Sequence, residues 1–318
     1  MAVLSVIIPT RNRSSSLNGV LSSLVRQTYP ADLFEVIVVD NGSIDSTKEV
    51  FESYSSHIQN LHYYYDATPG LHVGRHVGLK MANADILVYA DDDIEASPTW
   101  LEAIAESFKD TEVVLVGGKN LPKWEISPPD WILDMWKEDQ QGNRILGYLS
   151  IIDLGDEQKE INPFFVFGCN FSIRKSVLLE AGGFHPDAMP QELIKYRGDG
   201  ESYVSRFVCE KGYKAFYHPK ASVNHLVPKT RLMNEYFMKR SFNQGISESY
   251  FHIRCGYKKS LLGMYLRLIK QVLIRYIIKK DLITRTKIAF LKGYLYHQRV
   301  SRKNKEINHW IMKTSYFD

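Results

Sequence analysis

Three consecutive aspartates, Asp91, Asp92 and Asp93, follow directly on the apolar run Ile86-Leu87-Val88-Tyr89-Ala90. Adjacent carboxylates repel one another, so a cluster at the end of a strand calls for a cation or a donor-rich ligand to hold it together. Hard oxygen donors suit Mg2+ or Mn2+. A solvated turn capping the next helix is the competing account. Two further strand ends bear on the choice: Asp40 closes the run Val36-Ile37-Val38-Val39, and Pro9-Thr10 close Ser5-Val6-Ile7-Ile8. If the three runs are neighbouring strands, their tips present polar groups to one crevice, the place where open α/β sheets bind ligands. Asp40 could equally serve as a helix-capping turn residue.

The elements that must position these tips are legible. Residues 3–8 and 35–39 are β-branched, nearly continuous apolar runs, as required of strands buried on both faces of a parallel sheet. Between them Leu17, Val20, Leu21, Leu24 and Val25 share one helical face, which makes a βαβ unit. Asn41-Gly42-Ser43 breaks the second strand, and a helix is expected over Ser43–His57 with Ser43 or Asp45 as N-cap. A strand at 61–66, a Pro69-Gly70 turn, a helix over His72–Ala82, a helix over Ser97–Phe108 and a strand at 113–116 continue the alternation, which implies a doubly wound sheet. Residues 117–165 lose periodicity and carry Trp124, Trp131 and Trp136, so long loops or a β-appendage are expected there. The indoles suit stacking on sugar rings, or simple core packing. FFVFGCNFSIRKSV at 164–177 reads as a strand or hairpin leading into a helix. Gly198-Asp199-Gly200-Glu201 opens a helix through Glu210, YKAFYHPKASVNH at 213–225 is strand-like, and the chain from about Lys229 is helical.

Five blocks, SVIIPTRNR at 5–13, VIVVDNGSIDST at 36–47, GRHVGLKMANADILVYADDD at 74–93, GCNFSIRKSVLLEAGGF at 168–184 and the stretch Gly198 to His225, occur in the order found in family 2 glycosyltransferases. Over about residues 3–230 the chain resembles an inverting enzyme of the GT-A fold. The resemblance implies an α/β protein with a Rossmann-like, doubly wound mixed sheet and a C-terminal helical extension. Its expected parts are a nucleotide-sugar-binding half at 1–116, an acceptor-binding half with the aromatic insertion at 117–230, and a basic amphipathic extension at 231–318. By the same resemblance, Pro9, Thr10, Arg11 and Asp40 line the nucleoside pocket and Arg75 faces the diphosphate. Asp91 approaches the ribose or the metal, Asp92 lies near the sugar, Asp93 coordinates Mn2+ or Mg2+, and His225 supplies an imidazole that slightly favours manganese. Gly168 and Asn170 fall in the acceptor-side block, with Trp124 nearby. The family's general base is a carboxylate in an acidic pair before an Arg. Here Gly200 occupies its position, counted back from Arg206, so either Asp199 or Glu201 takes the role. An N-terminal acidic cap is the alternative for both. His76, where the family often has Asn, is expected on the helix surface. Lys229 and Arg231 are expected in a loop closing over the diphosphate, or as an exposed basic turn.

The reaction so implied moves a sugar from a nucleoside-diphosphate sugar, UDP- or GDP-linked, to a glycan or lipid-linked hydroxyl acceptor in surface polysaccharide or glycolipid synthesis. Two rivals stand beside it. A sugar nucleotidyltransferase would need a glycine-rich phosphate loop near the first strand, which SVIIPTRNR lacks. A catalytically silent scaffold would be consistent with the altered Gly-Asp-Gly-Glu motif.

Charge divides the chain. From Arg254 onward 16 Lys/Arg face three acidic residues, a local +13, whereas residues 1–253 carry 24 Lys/Arg against 33 Asp/Glu, or −9. Leu262, Tyr265, Leu266, Ile269, Leu273 and Tyr276 form one helical stripe in the tail, widened by Ile274 and Ile278, while Arg267, Lys270 and Arg275 forbid a bilayer span. Residues 258–318 are therefore expected either to lie on an anionic membrane surface or to pack on protein. No nucleic-acid motif accompanies the charge, so no nucleic acid is expected. The three cysteines are few, odd in number and widely spaced, and the first ten residues lack a secretory pattern. The expected location is cytoplasmic, with peripheral association at the inner face of the membrane where the tail binds lipid.

Overall fold

A computed structural model of the chain describes residues 3–68, 70–185, 200–257, 259–277 and 281–314, without the side chains of residues 276 and 277. Asp199 and Ile278, and the side chain of Tyr276, thus lie outside the described residues. In chain order the first elements are β1 (Leu4–Thr10), α1 (Ser14–Val25), β2 (Phe34–Asp40), α2 (Thr47–Ser53), β3 (Leu61–Tyr65), α3 (Leu71–Met81), β4 (Ile86–Ala90), β5 (Ile94–Ala96), α4 (Trp100–Ser107) and β6 (Val113–Gly117). There follow β7 (Asn120–Trp124), α5 (Asp130–Met135), β8 (Arg144–Leu146), β9 (Ile151–Asp153), β10 (Lys159–Glu160), β11 (Asn170–Arg174), α6 (Lys175–Glu180), α7 (Gly200–Glu210), β12 (Lys214–Tyr217) and β13 (Val223–Val227). Four helices close the chain: α8 (Asn234–Arg254), α9 (Leu261–Ile277), α10 (Leu282–Lys303) and α11 (Lys305–Ile311).

The main sheet runs β10-β12-β6-β11-β4-β1-β2-β3. Strands β1 to β4 are mutually parallel where they pair, and β11 enters antiparallel between β4 and β6, so the sheet is mixed and both halves of the chain share it. Every residue of β1, β2 and β4 is buried, which explains their unbroken apolar runs. The pleat sends Val6, Ile8, Val36 and Val88 to one core with α1 and α4, and Ile7, Ile37 and Leu87 to the other with α3, α6 and α7. A second sheet, β5-β13-β7-β9-β8, takes β7, β8 and β9 from the aperiodic stretch 117–165 and β5 and β13 from outside it.

The structure departs from the sequence reading in two local ways, and at the tryptophans it takes the core-packing alternative. Helix α2 spans only Thr47–Ser53, because Asp45 accepts bonds from the Thr47 amide and hydroxyl and Ser43 accepts one from the Asn12 amide, which ties the preceding residues into a turn. The run 213–225 is two strands in two sheets, β12 and β13, broken around Pro219. Trp124, Trp131 and Trp136 pack against Ile132, Leu146, Val227 and Phe237, with the Trp131 ring edge-on to Phe237 at 5.0 Å.

The helical extension is joined tightly to itself. Gly245 on α8 and Gly293 on α10 let the two backbones touch: a Cβ at Gly245 would lie 2.1 Å from the Phe290 carbonyl oxygen, and one at Gly293 would lie 1.9 Å from that of Phe242. Helix α9 packs on α10 through Leu261, Met264 and Leu268 against Leu291, Tyr294 and Leu295. The stripe Leu262, Tyr265, Leu266, Ile269 and Leu273 is the opposite, exposed face, with Leu262 at 70%. No helix among the described residues is long and apolar enough to cross a membrane.

Candidate functional site

The crevice lies at the carboxyl ends of β1, β2 and β4, as the topology requires. Pro9, Thr10, Arg11, Arg13, Asn41, Gly70, Leu71, the three aspartates and Arg231 line a volume of about 370 Å³. Thr10 reaches its place because β1 pairs in parallel with β4, and its hydroxyl donates to Asp92 Oδ2 at 2.8 Å. Arg13, in the turn before α1, clamps two aspartates at once, with 2.5 Å to Asp92 Oδ1 and 2.9 Å to Asp93 Oδ2. His225 arrives from the other sheet: β13 pairs antiparallel with β5 in the register His225 to Ile94, which sets the imidazole beside Asp93. Its Nε2 lies 3.4 Å from Asp93 Oδ1. Arg231 completes the group, with 3.2 Å to Asp93 Oδ2 and 3.2 Å to His225 Nε2.

The two inner aspartates differ electrically. Burial pushes the Asp92 carboxyl up to about 7 despite its pair with Arg13, and the neighbouring Asp93 and Asp91 add to the shift. Burial acts on Asp93 in the same sense, but His225, Arg231 and Arg13 together hold its carboxyl well below the usual range. Of these two, Asp93 is therefore the carboxylate held ionised.

A second cluster forms behind Asp91. Arg75 on α3 is fully buried, with Nη1 2.6 Å from Glu201 Oε1 and Nη2 3.1 Å from Asp91 Oδ1 and 2.9 Å from the Gly168 carbonyl. The guanidinium also lies over the Phe184 ring at 5.3 Å. Glu201, in the first turn of α7, keeps 30% of its side chain exposed, and His72 Nε2 stands 3.9 Å from its Oε2. Burial would raise the Glu201 carboxyl, but Arg75 and His72 hold it well below the usual glutamate range.

Several expectations need correcting. Arg75 directs its donors to Glu201, Asp91 and Gly168, which a fully buried cation must do to be neutralised. Asp40 has both oxygens engaged, by the Ser43 amide at 2.7 Å and the Tyr63 hydroxyl at 2.6 Å, and Asn41 lines the crevice at that strand end. Asp91 lines the crevice beside Asp92 and Asp93, with its Oδ1 held by Arg75 Nη2 at 3.1 Å. Asn170 is buried among the Trp100 indole, Asn120 and the Ala221 carbonyl, so it braces the junction of the sheets. Trp124 belongs to the packed aromatic cluster. His76 is buried, accepts the Phe184 amide at Nε2 and is pushed down to about 3 by desolvation. Residues 229–232 form a 3-10 turn, anchored by the Lys229 amide to Glu125 and by Arg231 to Asp93. Arg13 was not singled out from the sequence; its signal is a cation three residues past the strand-end Thr10 and next to a helix start.

Whether the site suits a divalent cation is tested by its own atoms. Asp93 Oδ1 is buried without a hydrogen-bond partner and faces the His225 imidazole. Among the described residues no group of three or more His, Cys, Asp or Glu is placed to hold a metal ion by itself. One carboxylate and one imidazole leave most positions to substrate oxygens, a pattern usual for Mg2+ and Mn2+ at phosphates, and the nitrogen donor suits Mn2+. The residues fit such an ion.

The family model described as "Glycosyl transferase family 2" matches residues 5–182, more than half of the 318-residue chain. The chain belongs to this family. Among relatives, the glycosyltransferase AglE of Haloferax volcanii is 37% identical over 36% of this chain and 38% of its own length, so the match spans well under half of that protein. The glucosyl-dolichyl phosphate glucuronosyltransferase of the same organism is 23% identical over 77% of this chain and 75% of its own. Among solved structures, the mannosyltransferase PcManGT from Pyrobaculum calidifontis, in complex with GDP-Man and Mn2+, matches with a TM-score of 0.57 at 17% identity, covering 96% of this chain and 88% of that one. TarS residues 1–349 from S. aureus, in complex with UDP-GlcNAc, matches with a TM-score of 0.52 at 16% identity, covering 95% and 92%. At these identities the likeness is one of fold. This family 2 member has the GT-A architecture, a mixed sheet with C-terminal helices.

Proposed function

We propose that this family 2 protein transfers a sugar, with inversion, from a UDP- or GDP-linked donor to a hydroxyl of a glycan or lipid-linked acceptor, in the synthesis of surface polysaccharide or glycolipid. The observation that carries the reading is the triple aspartate facing Pro9-Thr10-Arg11 across one crevice, with His225 delivered beside Asp93. Asn41, Pro9 and Thr10 form the wall for the nucleoside. Asp93 and His225 would hold Mn2+ or Mg2+, which when bound neutralises charge on the departing diphosphate. Arg13 and Arg231 belong to the same surface, and their forks suit phosphate oxygens once the aspartates are otherwise neutralised.

The carboxylate we assign to the proton is Glu201. Its Oε1 is held by Arg75, its Oε2 stands 3.9 Å from His72 Nε2, and 30% of the side chain is exposed, so the group is oriented, ionised and reachable. The acceptor oxygen bonds to the anomeric carbon as the bond from that carbon to the diphosphate oxygen breaks, and the hydroxyl proton passes to Glu201. Arg75 is a positioning residue in this scheme, fixing Glu201 and Asp91 together.

Transfer and donor-hydrolysis assays on Asp93→Ala, Glu201→Gln and Asp199→Asn test the assignment. Asp93→Ala and Glu201→Gln should each lose activity by about 10²-fold or more, and Asp199→Asn should retain it. Full turnover in Asp93→Ala would remove the metal-assisted reading, and loss confined to Asp199→Asn would move the base.

A further inference from the structure

A cavity larger than the crevice lies away from the aspartates. Between α5, α8, α9 and α10 a space of about 1010 Å³ is walled by Trp131, Tyr148, Phe237, Ile283, Phe290 and Leu291. That is at the upper end for a site taking one small molecule. An apolar wall alone would be filled by packing, but Arg240, Arg267 and Lys287 also line it. None of these three cations has a salt bridge among the described residues. The one carboxylate present, Asp281, is committed as the N-cap of α10, accepting the Thr284 amide at 2.8 Å.

Apolar walls with a net positive rim, in which Arg267 and Lys287 are exposed, Arg240 is half-buried and Asp281 is the one carboxylate, suit an occupant that is both apolar and anionic. Two features of the fold say how it would enter and where it would lead. Helix α9 contributes Arg267 and Gln271 to the cavity and turns Leu262, Leu266, Ile269 and Leu273 outward beside it, an apolar approach for a lipid chain. The turn Lys229–Leu232 separates cavity from crevice: Leu232 packs with Phe237, Trp131 and Tyr148 on one side, while Arg231 holds Asp93 on the other.

We infer that this cavity binds the lipid chain of a lipid-phosphate-linked saccharide, with Arg240, Arg267 and Lys287 on its phosphate, so that the saccharide hydroxyl meets the donor across the Lys229–Leu232 turn. This names the acceptor class for the proposed transfer and rests on that reading for the word acceptor.

Binding is measured on the full chain without donor, by tryptophan emission, which Trp131 in the cavity wall should report. The probes are farnesyl phosphate below its micellar concentration, farnesol, inorganic phosphate, and vesicles of phosphatidylglycerol with phosphatidylcholine. Farnesyl phosphate should bind saturably and at least about tenfold more tightly than farnesol, a difference of one modest charge interaction. The double variant Arg267→Gln/Lys287→Gln, both exposed positions, should lose that preference, and Ile283→Trp should weaken both lipids by filling the space. UDP and GDP affinity should not change in any of them. Equal binding of the two lipids, an unaffected double variant, or binding seen only with the phosphatidylglycerol vesicles would overturn the assignment. A farnesyl phosphate bearing a hexose then separates the two proposals: tight binding without transfer from any nucleoside-diphosphate sugar defeats the transferase reading and leaves the cavity, whereas absent binding with intact donor hydrolysis defeats the cavity alone.

Discussion

Gly168→Ala should cripple turnover while sparing nucleotide binding. A methyl group at this position would lie 1.9 Å from Glu201 Oε1, 2.7 Å from Glu201 Cδ and 2.9 Å from Arg75 Nη2. Carbon and oxygen approach to about 3.3 Å at closest, so the carboxylate must retreat by roughly 1.4 Å. The 2.6 Å bond to Arg75 cannot survive that retreat unchanged, because Arg75 is fully buried and tied to Asp91 and the Gly168 carbonyl. A charge-assisted hydrogen bond contributes about 1.5–3 kcal/mol, so a loss of about 2 kcal/mol in stability is expected, or several degrees in Tm for a chain of this size. The kinetic loss should be larger in proportion, since a displacement of about 1 Å in a reacting group can cost about 10²-fold. The assay is initial-rate transfer beside calorimetric titration of UDP or GDP: kcat should fall about 10²-fold and nucleotide Kd should hold, because the crevice at Pro9-Thr10-Asn41 is untouched. In a cycle with Glu201→Gln the two losses should not add, since both act through one carboxylate. Normal turnover in Gly168→Ala, or additive losses in the cycle, would refute the claim that Glu201 works from the position Arg75 gives it.

Acid should destabilise the fold in a window set by buried histidines. Desolvation pushes His297 from 6.5 down to about 4, so the unfolded chain binds the extra proton between those values and stability, complete above pH 6.5, falls by about 3 kcal/mol as pH drops to 4. Chemical denaturation of wild type and His297→Asn at pH 7 and pH 4.5 checks this, with the variant losing less; identical pH slopes would count against it. Arg13→Gln leaves Asp92 and Asp93 with one cation fewer, so donor affinity should weaken and the Mn2+ concentration for half-activity should fall, both read by titration; unchanged values would take Arg13 out of the site. Gly245→Ala should cost about 1–3 kcal/mol by forcing α8 from the Phe290 carbonyl of α10, measured by urea unfolding, with UDP or GDP affinity intact.

How much of this was readable from sequence depended on the range of the interaction. The strands β1, β2 and β4 and the crevice at their ends followed from apolar runs that stop at Thr10, Asp40 and Asp91, because burial on two faces leaves an unbroken hydrophobic signature. Which polar atoms face the crevice did not follow, since that is settled by partners far away in sequence. Asp40 is turned inward by Tyr63, Asn170 by Trp100, and Arg75 by Glu201, 126 residues on. The same limit governed α9. Its apolar stripe was visible as a pattern, but periodicity cannot tell a face that packs from one that is left open, and the helix used Leu261, Met264 and Leu268 for its contact with α10. An outward row of leucines and isoleucines on a helix that already has its packing surface is costly to keep in water at about 25 cal/mol per Å². That cost is why the row argues for a lipid approaching the cavity it flanks, rather than for a helix still in search of the protein core.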